Sequence, residues 1–122
     1  MRVFKTKRFA RDARKFGVSD AALLEVLNRE SLDADLGGGV VKQRIAREGQ
    51  GKSGGFRSII LLKPAASAFF VFVFAKNACD NITNAELVAF RQLALELFEL
   101  DQTALNKAVA AGSLTEIRGD AR

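Results

Sequence analysis

The stretch Ala68–Lys76, AFFVFVFAK, constrains this chain more than any other. Alternation puts Phe70, Phe72 and Phe74 on one face of a strand and Phe69, Val71 and Val73 on the other, so both faces are apolar. A strand of that kind is buried on both sides: it takes a central place in a sheet that is covered above and below. The apolar run is far too short to span a bilayer, which leaves a covered sheet as its use. The rest of the chain must then supply neighbouring strands and two apolar helical layers.

The flanking sequence offers both. Val3–Lys5 reads as a short opening strand. Phe9, Ala13 and Phe16 recur at helical spacing until Gly17, and Ser19 is a good N-cap for a second helix carrying Leu23, Val26 and Leu27. After the break LGGGV, the segment Val40–Ala46 suits a strand with Lys42 and Arg44 on one face and Val41 and Ile45 on the other. A glycine-rich connection, REGQGKSGGFR, leads to a strand over Phe56–Leu62, and KPAAS turns into the apolar strand. Thr83 and Glu86 have the spacing of a capping box, opening a helix with Leu87, Phe90, Leu93, Ala94, Leu97 and Phe98 on its inner side. Asp101 caps a shorter helix ending at Gly112, and SLTEI is either an edge strand or a surface segment. The expectation is one α+β domain over residues 1–122: an N-terminal helical hairpin, an antiparallel three-stranded meander and C-terminal helices.

Composition removes whole classes of chemistry. The chain has no His and one Cys, Cys79. Ser-His and Cys-His mechanisms, His-ligated metals, an internal disulfide and a multi-Cys zinc site are excluded, and no cofactor is expected. A lone thiol suits a reducing compartment, and the start of the sequence has no apolar signal region, so the cytoplasm is the expected location. The net charge is +5, unevenly placed. Arg2–Lys15 holds seven basic residues against one acid, and Val40–Asn77 again seven against one. The segment Phe16–Gly39 has one cation, Arg29, against five acids, and Arg29 is expected to be indifferent to function. Two basic blocks in a small chain point to a polyanionic partner, nucleic acid before others.

GQGKS, Gly49–Ser53, is close to a phosphate-binding P-loop, but Ala46 stands where its first Gly belongs. A P-loop opens into a helix whose N-terminal N–H groups hold the phosphates, whereas GGFRSIILL reads as a strand. The glycines are better read as a turn that permits positive φ and close approach of a ligand. Arg47 and Lys52 then sit at its tip, Arg57 on the face opposite Phe56, and Lys76 with Asn77 where the apolar strand emerges. Lys42 and Arg44 come from the preceding strand. Converging cations of this kind suit a phosphodiester.

GKSGGFRSIILLKP followed by AFFVFVFAKNACDNITNAELVAFRQLA resembles the RelE/HigB toxins of type II toxin–antitoxin modules, over about Val3 to Leu97. The resemblance implies a ribosome-dependent mRNA endoribonuclease that inhibits translation. It also implies a cognate antitoxin, of helix-turn-helix type, that silences the toxin and alone brings it to operator DNA. Arg57 matches the arginine such toxins use on the scissile phosphate. Lys76 and Asn77 fall on a basic pair, with Asn77 in place of a catalytic arginine, and Lys52 lies in the region of the catalytic lysines. Lys42, Arg44, Arg47, Lys63 and Arg11 are the candidate contacts to RNA or ribosome. The family's tyrosine has no counterpart; Thr83 is near its position. The general base then falls to a lysine of lowered pKa or to Glu48, which also suits an ion pair with Arg44 or Lys52. Two other readings share the fold: a ParE-type gyrase inhibitor, and a weak homologue that binds only antitoxin or operator DNA.

Overall fold

The structure is a computed structural model that describes residues 1–29, 33–47, 51–75 and 81–118, with backbone alone for residues 46, 47 and 51–54. The elements run β1 (Arg2–Thr6), α1 (Lys7–Phe16), α2 (Asp20–Leu27), β2 (Ala34–Asp35), β3 (Val40–Arg47), β4 (Gly51–Lys63), β5 (Ser67–Ala75), α3 (Asn84–Phe98), α4 (Gln102–Ala111) and β6 (Leu114–Glu116). Among the described residues no helix is long and apolar enough to cross a membrane.

The architecture is α+β, built on one six-stranded sheet in the order β2-β3-β4-β5-β1-β6. The sheet is mixed, where the sequence suggested a purely antiparallel one. β3, β4 and β5 pair antiparallel in succession, but β1 lies parallel to β5 and β6 antiparallel to β1. The opening strand therefore pairs not with its neighbours in sequence but with the apolar strand, which needs a partner along both edges. SLTEI supplies the outer edge strand, β6.

Helices cover both faces, as the two-sided apolar strand requires. One face carries Val3, Ile45, Phe56, Ile60, Phe70 and Val73 against Phe9 and Ala13 of α1 and Leu23 and Val26 of α2. The other carries Phe4, Val40, Ile59, Leu61, Phe69, Val71 and Phe74 against Ala94 of α3 and Leu105 of α4. The simple alternation expected along β5 fails at Val71. Ile59 pairs with Phe72 but Ile60 pairs with Phe70, so Val71 is an extra residue, a β-bulge. Beyond it the faces exchange: Phe72 and Phe74 join Phe69 and Val71 under α3, while Val73 joins Phe70 under α1.

The helix ends follow local chemistry. Ser19 Oγ accepts from Ala22 N at 3.2 Å, Thr83 and Glu86 form the reciprocal capping box, and Asp101 Oδ1 accepts from Ala104 N at 2.8 Å. Gly17 and Gly112 close α1 and α4 in the left-handed region. The glycines after Lys52 behave differently from the expected turn. β4 already begins at Gly51, paired with Arg47, and Gly55 is extended strand rather than a positive-φ residue. The left-handed glycines are instead Gly37–Gly39, in the turn into β3. A Cβ on Gly39, at φ +85°, would stand 2.6 Å from Phe98 Cε2 and 3.3 Å from the Leu62 carbonyl oxygen.

An ion pair joins β1 to the edge strand β6, and hydrogen bonds from the same arginine tie both to α4. Arg2 donates from Nε and Nη2 to the two carboxylate oxygens of Glu116, both at 2.9 Å, and also reaches Gln102 and Asn106 of α4. The Arg2 hydrogen bonds hold the Glu116 carboxyl below its ordinary value and raise the pKa of Arg2.

Two outcomes follow for stability. Gly39→Ala should cost about 2–4 kcal/mol, the sum of positive-φ strain and overpacking against Phe98, whereas Gly17→Ala should cost about 1 kcal/mol. Urea titrations at constant m would read the difference. Because the Glu116 carboxyl is depressed in the folded chain, its contribution is complete above the ordinary value of 4.5 and is lost as pH falls through the lower folded value. Glu116→Gln should thus lower stability by on the order of 1 kcal/mol at neutral pH. That deficit should shrink in acid, as melting curves at pH 7 and below the carboxylate range would show.

Candidate phosphate-binding site

The bulge and the register of three strands build the candidate site. Arg44 of β3 pairs with Arg57 of β4, which pairs with Phe74 of β5. One step toward the core, Lys42 pairs with Ile59, which pairs with Phe72. Residues opposed in this way share a face, and Ile59, Phe72 and Phe74 fix it as the face under α3. Two rows of three side chains therefore lie side by side, cationic on the β3 side and aromatic on the β5 side. Arg8, at the start of α1 beside β5, extends the second row: its guanidinium carbon stands 4.9 Å from the Phe72 ring centre. Phe72 also meets Phe74 at 5.5 Å and Phe90 of α3 at 5.8 Å.

Each cation is held to a different degree. Lys42 Nζ donates to Asn81 Oδ1 at 3.3 Å, so the segment before α3 is tied to β3 beside the site. Arg44 Nε lies 3.8 Å from Asp33 Oδ2, and the Arg44 backbone N–H donates to the same carboxylate. Asp33 is itself placed by Gln43, a buried amide whose Oε1 accepts from Asp33 N and whose Nε2 donates to Val26 O at 3.5 Å. Arg29 Nη1 donates to the Arg44 carbonyl at 2.6 Å, so the cation expected to be indifferent supports the β3 backbone at the site.

Arg57 is the exception. Its side chain is half-buried, and its Nη1 is buried without a hydrogen-bond partner among the described residues. An unpartnered buried donor costs roughly 1–3 kcal/mol. Its direct cross-strand neighbour is another guanidinium, an arrangement that destabilises a sheet. A guanidinium whose Nη1 no described residue engages, beside a second positive group and in register with Phe74, is suited to an oxyanion with several acceptor oxygens.

The other candidate residues are distributed around this cluster. Arg47 and Lys52 belong to β3 and β4 beyond Arg44 and Arg57, at the same end of the sheet. Lys76, Asn77, Glu48 and Cys79 lie outside the described residues. Lys63 is six residues along β4 from Arg57, roughly 20 Å away. There its Nζ donates to the Phe98 carbonyl at the end of α3, a favourable place for a cation at a helix C-terminus. Arg11 is exposed on α1, 3.4 Å from Asp12, and outside the two rows. Among the described residues no three His, Cys, Asp or Glu side chains are grouped to hold a metal.

Arg8, Asp33, Gln43 and Asn81 are the participants that sequence reading missed. Arg8 depends on the parallel pairing of β1 with β5, and Asp33 sits in the acidic segment that looked separate from the basic one. A buried Gln43 between Lys42 and Arg44 was the available signal, since a polar residue on the apolar side of a strand needs partners.

If the Arg57 guanidinium serves a ligand rather than the fold, Arg57→Met should leave thermal stability unchanged or raise it by up to about 1 kcal/mol. A loss above that in a calorimetric melt would mark Arg57 as a structural tie.

A family model described as the RelE toxin of the RelE/RelB toxin–antitoxin system matches residues 1–117. Comparison with curated proteins returned no match.

Proposed function

This chain belongs to the RelE toxin family, and from that premise we propose that it is a ribosome-dependent mRNA endoribonuclease that blocks translation until a cognate antitoxin neutralises it. A toxin of a toxin–antitoxin module is what the family establishes. The observation that carries the finer reading is the Arg44–Arg57 cross-strand pair with its unpartnered Arg57 Nη1. A gyrase inhibitor has no use for a phosphate-directed fork kept free at a stability cost.

The reaction needs neither His nor an external nucleophile. The ribose 2′-oxygen forms a bond to the adjacent phosphorus as the bond from phosphorus to the 5′-oxygen breaks. The products are a 2′,3′-cyclic phosphate and a 5′-hydroxyl, the leaving oxygen taking its proton from water. Arg57 donates to the equatorial oxygens, whose charge grows in the phosphorane, and Arg44 and Lys42 deepen the positive potential around them. Lys76 and Asn77, from the end of the apolar strand, and Lys52, from the start of β4, complete the catalytic set in this reading. In-line geometry comes from mRNA already held in the ribosome's decoding site, which converts much of the barrier into prepaid order. The base that takes the 2′-proton is a lysine or Glu48. Asp33 is not suited to that role because its carboxylate is already engaged by Arg44. The setting is the cytoplasm, with the ribosome, mRNA and a helix-turn-helix antitoxin as partners.

Primer extension on a reporter mRNA, with and without ribosomes, tests the reading. Wild-type protein should cut only on ribosomes. Arg57→Ala should lower the rate at least about 100-fold, the scale for losing one transition-state donor. Arg57→Lys should recover part of it, since an ammonium cannot reproduce the fork. Undiminished growth arrest by folded Arg57→Ala would refute the nuclease reading and favour inhibition of gyrase.

A further inference from the structure

A second cationic feature lies away from the Arg44–Arg57 row. On α1, Lys7, Arg11 and Arg14 recur at i, i+4 and i+7, so they share a face that turns away from the buried Phe9 and Ala13. With Arg8 they line a groove of about 570 Å³ whose other wall includes Gly112, at the end of α4, and Thr115 of the edge strand β6. α1 contains one acid, Asp12, which Arg8 and Arg11 share at 3.9 and 3.4 Å. Among the described residues Lys7 and Arg14 have no ion-pair partner. Like charges at this spacing weaken a helix; Arg14, in the last turn, recovers part of that cost from the helix dipole, whereas Lys7, in the first turn, does not.

Arg8 connects the two features. It lines the groove and also stands over Phe72, in the row next to Arg57. From β3 to the outer edge of the sheet, the order is Arg44, Arg57, the Phe72 and Phe74 rings, Arg8, then Arg11 and Arg14 in the groove. Phe74 is buried and Phe72 packs against Phe90, so what this line offers a ligand is its cations, a succession of positive groups that suits the successive phosphates of a single nucleic-acid strand. A strand whose phosphate is held at Arg57 reaches the groove through Arg8, a continuity that an acidic protein helix seated in the groove alone would lack.

We propose that the groove between α1 and the α4–β6 turn is a second phosphodiester-binding site, which holds single-stranded RNA leading away from the phosphate at Arg57. The inference rests on the nuclease reading for the identity of that RNA. Its role is affinity rather than bond cleavage: each cation that displaces a counterion from a phosphate adds to the salt dependence of binding.

The test uses fluorescence anisotropy with a labelled RNA oligonucleotide of about 12 nucleotides, titrated at several KCl concentrations. The triple variant K7A/R11A/R14A, exposed throughout, should melt like wild type yet bind RNA at least tenfold more weakly. The slope of log affinity against log salt should fall by about 2, because each phosphate of a single strand that the variant leaves unneutralised removes about 0.7. Lys107→Ala, an exposed cation of α4, should change neither value. In ribosome-dependent cleavage the triple variant should show a raised KM with kcat retained, the opposite of Arg57→Ala. Unchanged RNA affinity and slope in the triple variant would overturn the proposal while leaving an Arg57-dependent nuclease in place. Equal binding of an oligoglutamate of the same length, lost in the same variant, would overturn it in favour of an acidic protein segment. RNA affinity that depends on the groove, in a chain that cuts nothing on ribosomes, would sustain the groove and sink the nuclease instead.

Discussion

The fold depends on burying a strand that is apolar on both sides. β5 carries Phe69, Val71, Phe72 and Phe74 toward α3 and Phe70 and Val73 toward α1, with the edges taken by β4 and β1. Each fully buried Phe or Val contributes about 1.5–3 kcal/mol relative to exposure, so no other placement of this segment competes. Two helical layers, a central position and a partner on each edge are consequences of that single demand. The functional reading inherits them, because the strand that anchors the core also carries the rings beside Arg57.

What could be read from the sequence was what short-range chemistry decides. The caps at Ser19, Thr83 and Asp101, the left-handed ends at Gly17 and Gly112, and the opposite facing of Lys42/Arg44 and Val41/Ile45 all rest on neighbours within four residues. Arg57 was legible for the same reason, since alternation with Phe56 sends it to the other face. The parallel β1–β5 pairing was not, because a strand's pattern shows that it is buried and not which distant strand lies beside it. The bulge at Val71 was equally hidden: an extra residue is defined only against the spacing of its partner, and AFFVFVF reads as apolar in either register.

The basic residues divide along the same line. Charge density marked the two basic blocks, but charge alone assigns no role. Lys63 serves the C-terminus of α3, Arg2 serves Glu116, and Arg29 serves the Arg44 backbone. Arg57 is distinguished by an absence of service: its Nη1 has no partner among the described residues, next to a like charge. Sites that bind charged ligands commonly keep such unrelieved cost, which stability alone would remove.

The sheet order also implies a sequence of assembly. β3, β4 and β5 are joined by short connections and pair successively, so the row Arg44–Arg57–Phe74 can form from local contacts. β1 precedes β5 by more than sixty residues, and β6 closes on β1 only after α4. Closing such distant pairings costs loop entropy and comes late in folding. Arg8 reaches Phe72 only once β1 has docked. The Arg44–Arg57–Phe74 row can therefore exist before the α1 groove joins it, and a chain still emerging during synthesis holds the first without the second until its last strand is free to pair.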